Sequence, residues 1–423
     1  MLHRTLVPAI LLSSILGLHA ADWPQYRGPS GDGHSPDKIA FPMGGAAPRQ
    51  IWKAPSEGGF SSFAVANGRA FTLSLKDSEG AKQESVVALD AKTGKELWFA
   101  PLNFPKYDGG GDSGTANNKG GDGPRSTPTT DGTNVYVTSS QLVLTAFNAA
   151  TGKPVWTHDL IKEFAGRNIR WENAASPLLE GGVLYVAGGG QGQSILALDP
   201  QTGAVIWKAY DEMMTHATPV ATTILGQRQI IFFLQSGLLS IEPKTGKELW
   251  RYPFQYSTST AASPVVSGDI VYCSAGYGVG AGAVRVSNAA GAWKATEIYR
   301  LRGNKPLGNH WSTPVAKDGY LYGMFQFKEY GTGPVKCVEI ATGKVMWEQP
   351  GFGPGQVVLA GNHVLALADN GDLVEFDAAP ASYHEVARAK VLDGKCWTTP
   401  VISNGLVFAR STKEAVCVNL SGH

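Results

Sequence analysis

Very little of this 423-residue chain is charged. Asp, Glu, Lys and Arg make up 17%, with 36 basic against 35 acidic side chains and a net charge of +1. So weak a field argues against nucleic acid as the main partner, because phosphate binding needs a basic surface. Cysteine is scarce as well: Cys273, Cys337, Cys396 and Cys417 are the four, with no adjacent pair and no Cys-x-x-Cys-His, so haem attachment of the c type is excluded. Beyond residue 21 no segment is long and apolar enough to span a bilayer. What the chain has in quantity is glycine (52) and proline (25) on a 43% hydrophobic background, the mark of many turns around an ample core. The length suits two or three ordinary domains or one large closed β architecture.

The first residues read as a secretory signal. Arg4 supplies a positive start, Leu6 to Leu18 is an apolar stretch interrupted only by Pro8, Ser13, Ser14 and Gly17, and Ala20 and Ala21 are small enough for a peptidase site. The stretch falls short of the ~20 apolar residues of a membrane anchor. Residues 1–21 are therefore expected to be removed. No cysteine follows to carry a lipid, and the mature chain is expected to be periplasmic or secreted, soluble and monomeric. An even cysteine count in an exported protein suggests disulfides. The repeat register below argues for buried free thiols instead, since Cys337 and Cys417 fall at equivalent positions of non-adjacent repeats and Cys273 on another strand type.

Self-similarity dominates the rest. A strand, a Thr-Gly turn and a second strand ending in Trp run from Ala88-Leu89-Asp90 through Thr93-Gly94 to Trp98. The pattern recurs at Asn148/Gly152/Trp156, Asp199/Gly203/Trp207, Glu242/Gly246/Trp250 and Glu339/Gly343/Trp347, and weakly at Asn288/Gly291/Tyr299, Asp377/Tyr383 and Cys417/Asn419. The acidic or amide side chain can bond the turn backbone, and Gly takes the positive φ the turn requires. The Trp is read as a wedge between neighbouring repeats. The other half of each repeat is a Ser/Thr-Pro strand, with Pro at a strand start where its missing N–H costs little. It begins at Thr127-Pro128, Ser176-Pro177, Thr218-Pro219, Ser263-Pro264, Thr313-Pro314 and Thr399-Pro400, and without the Pro at Ser62-Phe63 and Gly355-Gln356.

Each half occurs eight times, which predicts an all-β, eight-bladed propeller of four antiparallel strands per blade. The last repeat lacks its outer strand, while Gln50-Ile51-Trp52-Lys53 is an unpartnered strand ending like the others. Pairing the two would close the ring and remove its free edges. Residues 49–423 are thus expected to form the propeller and residues 22–48 an extension packing on it.

These Ala-Leu-Asp-x-x-Thr-Gly-x-x-x-Trp hairpins resemble the quinoprotein-like propellers, a superfamily that includes quinone-dependent alcohol dehydrogenases and the outer-membrane protein assembly factor. The opening Trp23-Pro24-Gln25-Tyr26-Arg27-Gly28-Pro29 resembles a widespread quinone-binding-like group of the same fold. The resemblance covers residues 49–420 and implies the fold; function is argued from the site.

Ligands of propellers sit over the central channel, reached by the loops that enter each innermost strand. Here those loops carry Arg125, Arg170, Trp171, Glu172, Asn173, His216, Asn309, His310, Trp311, Lys395 and Trp397, with Tyr256-Ser257-Thr258 in a further blade. They are the candidate ligand-binding set; no catalytic or metal-binding residue is assigned. The Tyr107–Gly123 insertion reads as a lid or a loose tip, and the Gly188–Gly192 and Gly276–Gly280 runs open no helix and so make poor phosphate cradles. Three functions fit. The first is a non-catalytic binding or scaffold module of the cell envelope, with a small molecule, an envelope protein or a glycan at the funnel. The second is a quinone-dependent dehydrogenase, for which the resemblance would imply pyrroloquinoline quinone with calcium, a Trp floor, Glu172 and Asn173 as metal ligands, and Arg125 or Arg170 on the quinone carboxylates. The vicinal cysteines of the alcohol dehydrogenases and a convincing second carboxylate are missing. The third is a lyase or hydrolase of an anionic saccharide, with His216 or His310 as base.

Overall fold

The computed structural model describes residues 22–42, 46–78, 80–105, 123–256, 260–325 and 332–421. Eight sheets follow one another along the chain, each running outward through four antiparallel strands. Blade 1 comprises Ala64–Ala66, Arg69–Ser78, Ala81–Asp90 and Glu96–Pro101, and blades 2 to 7 repeat the order. Blade 8 is completed as the sequence predicts: Arg49–Pro55 pairs antiparallel with Glu414–Asn419, so the first long strand of the chain is the outer strand of its last blade. The four cysteines are buried free thiols. The 1–21 segment and almost all of the Tyr107–Gly123 insertion lie outside the described residues.

The hairpin chemistry explains how blades attach to one another. Asp90 Oδ1 accepts from the N–H groups of Lys92 (3.1 Å) and Thr93 (2.9 Å), shaping the turn, and Asn148 and Asp199 do the same in blades 2 and 3. The Gly that follows has φ near +70° and forms a seat for the Trp of the preceding blade. A Cβ at Gly94 would lie 2.6 Å from the Trp52 ring, at Gly152 2.6 Å from Trp98, and at Gly203 2.8 Å from Trp156. Each indole N–H then donates to a turn carbonyl of that next blade: Trp52 to Ala91 (2.9 Å), Trp98 to Ala149 (3.1 Å), Trp156 to Pro200 (2.9 Å), Trp207 to Pro243 (3.0 Å) and Trp347 to Ala379 (2.9 Å). Trp250 departs from the rule and donates to Gln229 within its own blade, because blade 5 offers no Thr-Gly turn to receive it.

A second set of inter-blade bonds runs around the channel and accounts for the Ser/Thr before Pro at Thr127, Ser176, Thr218 and Thr313. Ser62 N–H donates to Thr127 Oγ1 (3.1 Å), Thr127 N–H to Ser176 Oγ (2.9 Å), and Ser176 N–H to Thr218 Oγ1 (3.0 Å). Ser263 N–H donates to Thr313 Oγ1 (3.0 Å), and Thr313 N–H to Gln356 Oε1 (3.3 Å). The closing seam has a further clamp. Arg410 of blade 8 is 0% exposed and reaches across to blade 1, donating to Thr72 Oγ1 (2.9 Å), Leu73 O (2.6 Å), Gly58 O (2.9 Å) and Glu57 O (3.2 Å). Burial among neutral acceptors brings its pKa down to about 10.

The Trp23–Phe41 segment crosses the end of the channel where each innermost strand turns back. Trp23 bridges to Val65 of blade 1, Pro24 O accepts from Thr130 of blade 2, and Gln25 Oε1 accepts from Leu179 of blade 3 (3.1 Å). On the far side Arg27, 2% exposed, donates to Thr313 O (2.9 Å) and Pro314 O (2.8 Å) of blade 6 and to Asp32 O (2.9 Å). Burial lowers its pKa. His34–Ser35 adds a short parallel fifth strand to blade 7, and Ala40 bridges to Ser421 beside blade 8. The Trp-Pro-Gln-Tyr-Arg-Gly-Pro run is therefore a strap across one mouth of the channel.

Two stability predictions follow from the inter-blade contacts. Gly203 (φ +75°) and Gly192 (φ +70°) share a backbone conformation, but a Cβ meets Trp156 only at Gly203 and nothing within 4 Å at Gly192. Gly192→Ala is expected to cost only the about 1–2 kcal/mol of a left-handed Ala. Gly203→Ala should lose a further ~1–3 kcal/mol of overpacking, read from urea midpoints. Arg410→Leu, which strips a donor from several buried acceptors at once, is expected to destabilise by about 3 kcal/mol or more in the same measurement.

Candidate functional site

In each four-stranded blade the loop entering the innermost strand and the turn between the second and third strands lie at the same mouth, opposite the strap. That geometry places the candidate residues on one face. The residue two positions before the Ser, Thr or (in blade 7) Gln that opens the innermost strand falls at this mouth by register in each blade. It is Phe60, Arg125, Ala174, His216, Ala261, Trp311, Pro354 and Trp397 in order around the ring. Sequence reading missed Phe60 for want of a Pro in its blade, although its register matches that of Trp397.

Blades 2 to 4 contribute a tightly bonded cluster. Trp171 and Glu172 both adopt left-handed backbone conformations (φ +68° and +62°), which cost roughly 1–2 kcal/mol per residue for L side chains. Two neighbours hold this turn: Arg125 Nη1 donates to Trp171 O (2.5 Å) and His216 Nε2 bonds Glu172 O (2.7 Å). His216 is 7% exposed, and burial, followed by the nearby Arg125 charge, pushes its pKa down to about 3. It is neutral at physiological pH and a poor proton acceptor there. Glu172 is 8% exposed, and its Oε2 has no hydrogen-bond partner. Arg170 is exposed and lays its guanidinium over the Trp171 ring, 4.8 Å from the centroid.

Blades 6 and 8 supply aromatic rings. Trp397 stacks on Phe60 (5.1 Å between centroids) and lies 4.8 Å from Trp311, which meets His310 edge-on at 5.2 Å. The Lys395 ammonium sits 4.4 Å from the Trp397 centroid on a residue that is otherwise buried. Trp311 is fixed by its indole N–H to Pro354 O (3.0 Å) and by Gln356 Nε2 to its carbonyl (2.7 Å).

Tyr277 joins the two halves. It comes from the Gly276–Gly280 turn of blade 5, is 40% exposed, meets His310 edge-on at 5.0 Å, and lies nearly parallel to Trp171 (11°) at 5.9 Å. A continuous row therefore crosses the mouth: Phe60, Trp397, Trp311, His310, Tyr277 and Trp171, with Arg170 at one end and Lys395 beside the other. Only its position between two glycines on a turn facing the channel could have marked Tyr277 in the sequence.

Two of the candidates serve the backbone instead. Asn173 accepts from Ala175 N–H (3.0 Å) and donates to Ser139 O (3.3 Å) and Ala175 O (3.2 Å). Asn309, 0% exposed, accepts from Tyr272 Oη (2.7 Å) and donates to Met324 O (2.7 Å). Both are loop anchors, chosen for the same amide chemistry that made them look like ligands. Of the Tyr256–Thr258 stretch only Tyr256 is described, and it is a buried phenol whose pKa burial raises well above the usual value.

A calcium ion shared with a quinone needs several oxygen donors from the protein. Glu172 is one, but Asn173 has committed its amide, and among the described residues no three His, Cys, Asp or Glu side chains converge to hold a metal. The residues present do not fit that pair.

A closed ring of eight four-stranded blades, four of its seams made by Trp–Gly contacts, defines a quinoprotein-like propeller. Within that class the chain belongs to the family described as outer membrane protein assembly factor BamB, whose model matches residues 82–323 and 331–421. The BamB of Moranella endobia is 24% identical over 311 residues, 69% of this chain and 73% of that protein. The Shewanella oneidensis BamB is 24% identical over 246 residues, 55% of this chain and 58% of its own length, so the chain spans little more than half of that relative. Two crystal structures share the fold. BamB from Moraxella catarrhalis has a TM-score of 0.59 at 15% identity, covering 88% of this chain and all of that one. Quinohemoprotein alcohol dehydrogenase from Comamonas testosteroni has a TM-score of 0.60 at 14% identity, covering 95% and 81%.

The buried neutral His216 makes a pH prediction. Its folded pKa lies below the ordinary 6.5, so the unfolded chain binds a proton that the native chain refuses between those values. The contribution is fully present above pH 6.5 and is lost as pH falls toward 3. Chemical denaturation at stepped pH should show a shallower acid loss for His216→Gln than for the wild type, and the His216 ring should not titrate by NMR between pH 5 and 9.

Proposed function

We propose that this chain is a non-catalytic binding propeller of the cell envelope, exported by its leader, which holds a partner at the mouth opposite the strap. The observation that carries this reading is the row of six rings flanked by Arg170 and Lys395. Half-exposed aromatics beside cations are the composition of binding surfaces, where large rigid rings give contact area at small entropic cost. The BamB relatives, named as assembly factors, support a scaffold role. Among the described residues no donor set for calcium supports the dehydrogenase reading, and of the two histidines that could serve the lyase reading His216 is a poor base.

Complementation tests the proposal. In the source organism, deletion should sensitise the envelope to detergent; the wild-type chain should restore resistance and Arg170→Ala/Lys395→Ala should not, at equal abundance. Rescue by the double variant as complete as by the wild type would refute a role for this mouth. Dye reduction by purified protein given pyrroloquinoline quinone and calcium would refute the non-catalytic assignment.

A further inference from the structure

We infer that His158 is a proton-dependent latch on the seam between blades 2 and 3: as an imidazolium it ties both the helix Leu160–Phe164 and the Gly203 turn to the outer strand of blade 2, and loss of one proton releases the turn. The inference goes beyond the reading of the mouth and stands whether or not a partner binds there.

Both ring nitrogens of His158 face acceptors. Nδ1 lies 2.6 Å from Glu163 Oε2, and Nε2 lies 2.9 Å from the carbonyl oxygen of Gly203. A carbonyl offers no proton, so Nε2 must carry one. Glu163 is held as a carboxylate. Burial raises its pKa, but the bond from His158 and the Asp159 N–H on Oε1 (2.8 Å) outweigh burial and bring it below the usual value. Nδ1 therefore carries the second proton. Aromatic rings on two sides suit a cation, with Trp156 5.6 Å and Phe164 5.7 Å from the imidazole centroid. A neutral imidazole has a single N–H and can keep only one of the two bonds. The bond to an ionised carboxylate is the stronger, so the one given up is that to Gly203.

The repeat sets His158 apart from its counterparts. The residues equally far beyond Trp98 and Trp207 are Ala100 and Ala209. In the next seam the carbonyl of Gly246 accepts instead from Tyr210 Oη, a phenol whose pKa burial raises to about 12. That seam is closed by a donor that keeps its proton, whereas the seam before it is closed by an imidazole, the side chain that titrates nearest neutrality. Gly203 is also the residue on which Trp156 rests. The helix leads into the Arg170–Glu172 turn, and Phe164 O accepts from Gly190 N–H (2.7 Å) on the way. Leu160 and Phe164 are buried, so the latch changes how often this seam opens rather than the fold.

The charged groups around the pair hold steady. Asp159 and Lys162 pair with each other on the helix (2.9 Å), and Lys208 of blade 3, 5.7 Å from the Phe164 ring, donates to Gln193 (2.7 Å). In the Gly203 turn Asp199 accepts from Gln201 and Thr202 N–H, and beyond Trp156 Asp131 accepts from Tyr136 (2.8 Å). Aspartate, lysine and tyrosine ordinarily keep their protonation between pH 5 and 9. The bond to Gly203 is thus present while the ring holds both protons and is lost as pH rises through its titration. In acid, protonation of Glu163 weakens the pair from the other side.

Nitrogen-15 NMR of the full mature chain with labelled histidine, assigned by His158→Gln, reads the ring directly. Hydrogen exchange of residues 200–207, corrected for intrinsic rates, reads the seam, and residues 243–249 beside Tyr210 serve as its control. At pH 5.5 both His158 nitrogens are expected to carry protons. Raising the pH to 9 should cost residues 200–207 about fivefold in protection with the same midpoint as the ring, and leave residues 243–249 unchanged. His158→Gln should abolish that step, and Glu163→Gln should lower its midpoint by about half a pH unit. A singly protonated ring at pH 5.5, flat protection while the ring titrates, an equal step in residues 243–249, or a step that survives in His158→Gln would each overturn the inference. Should His158→Gln not fold, the wild-type comparison of the two seams decides.

Discussion

The contact on which the ring depends is that between a tryptophan and a glycine of the next blade. The indole ring lies where a side chain would stand on the glycine, and its N–H meets a carbonyl of the same turn. The glycine thus answers two demands at once, a positive φ for its own hairpin and a bare surface for its neighbour's ring. Because Trp52 belongs to the closing strand, the same contact joins the last blade to the first.

Much of this was legible in the sequence because it repeats. Six Ser/Thr-Pro starts with two that lack the proline, eight hairpins and one orphan strand fix blade number and closure without any knowledge of side-chain contacts. Asp90, Asn148 and Asp199 announce their turns by residue type. What the repeat could not disclose was the purpose of its parts across blades: the Ser/Thr before Pro bonds its neighbour's N–H, and the Gly seats its neighbour's Trp. Both relations join residues some 40 to 65 positions apart, where no local pattern points. Arg27 was hidden for a related reason, since a lone arginine in an extension reads as solvated until its carbonyl partners nearly 300 residues away are known.

The mouth was legible in outline and blurred in detail. Position before the Ser/Thr-Pro element singled out Arg125, Arg170, Trp171, His216, His310, Trp311, Lys395 and Trp397, which the structure brings into contact with one another or through Tyr277 and Glu172. Asn173 and Asn309 instead bond their own loops and neighbouring strands, since an amide that anchors a loop and one that binds a ligand look alike in a sequence. Tyr277 shows the opposite failure. It arrives from the second loop of its blade, and only the geometry of a closed ring brings it between Trp171 and His310. The two ends of the channel are consequently unlike: one is sealed by backbone and a buried guanidinium, the other floored by rings that remain partly in contact with water.

The closing strand also sets an order of events. Arg49–Pro55 precedes its sheet partner among the described residues, Glu414–Asn419, by more than 300 positions. Until that partner is made its hydrogen-bonding groups lack their native neighbour, and Arg27 waits likewise on Thr313 and Pro314. Such long-range pairing is slow and leaves strand edges open to wrong partners. A ring fastened in this way keeps an adhesive edge open for as long as Arg49–Pro55 lacks Glu414–Asn419, and a chain without that later strand would leave the eighth blade unclosed.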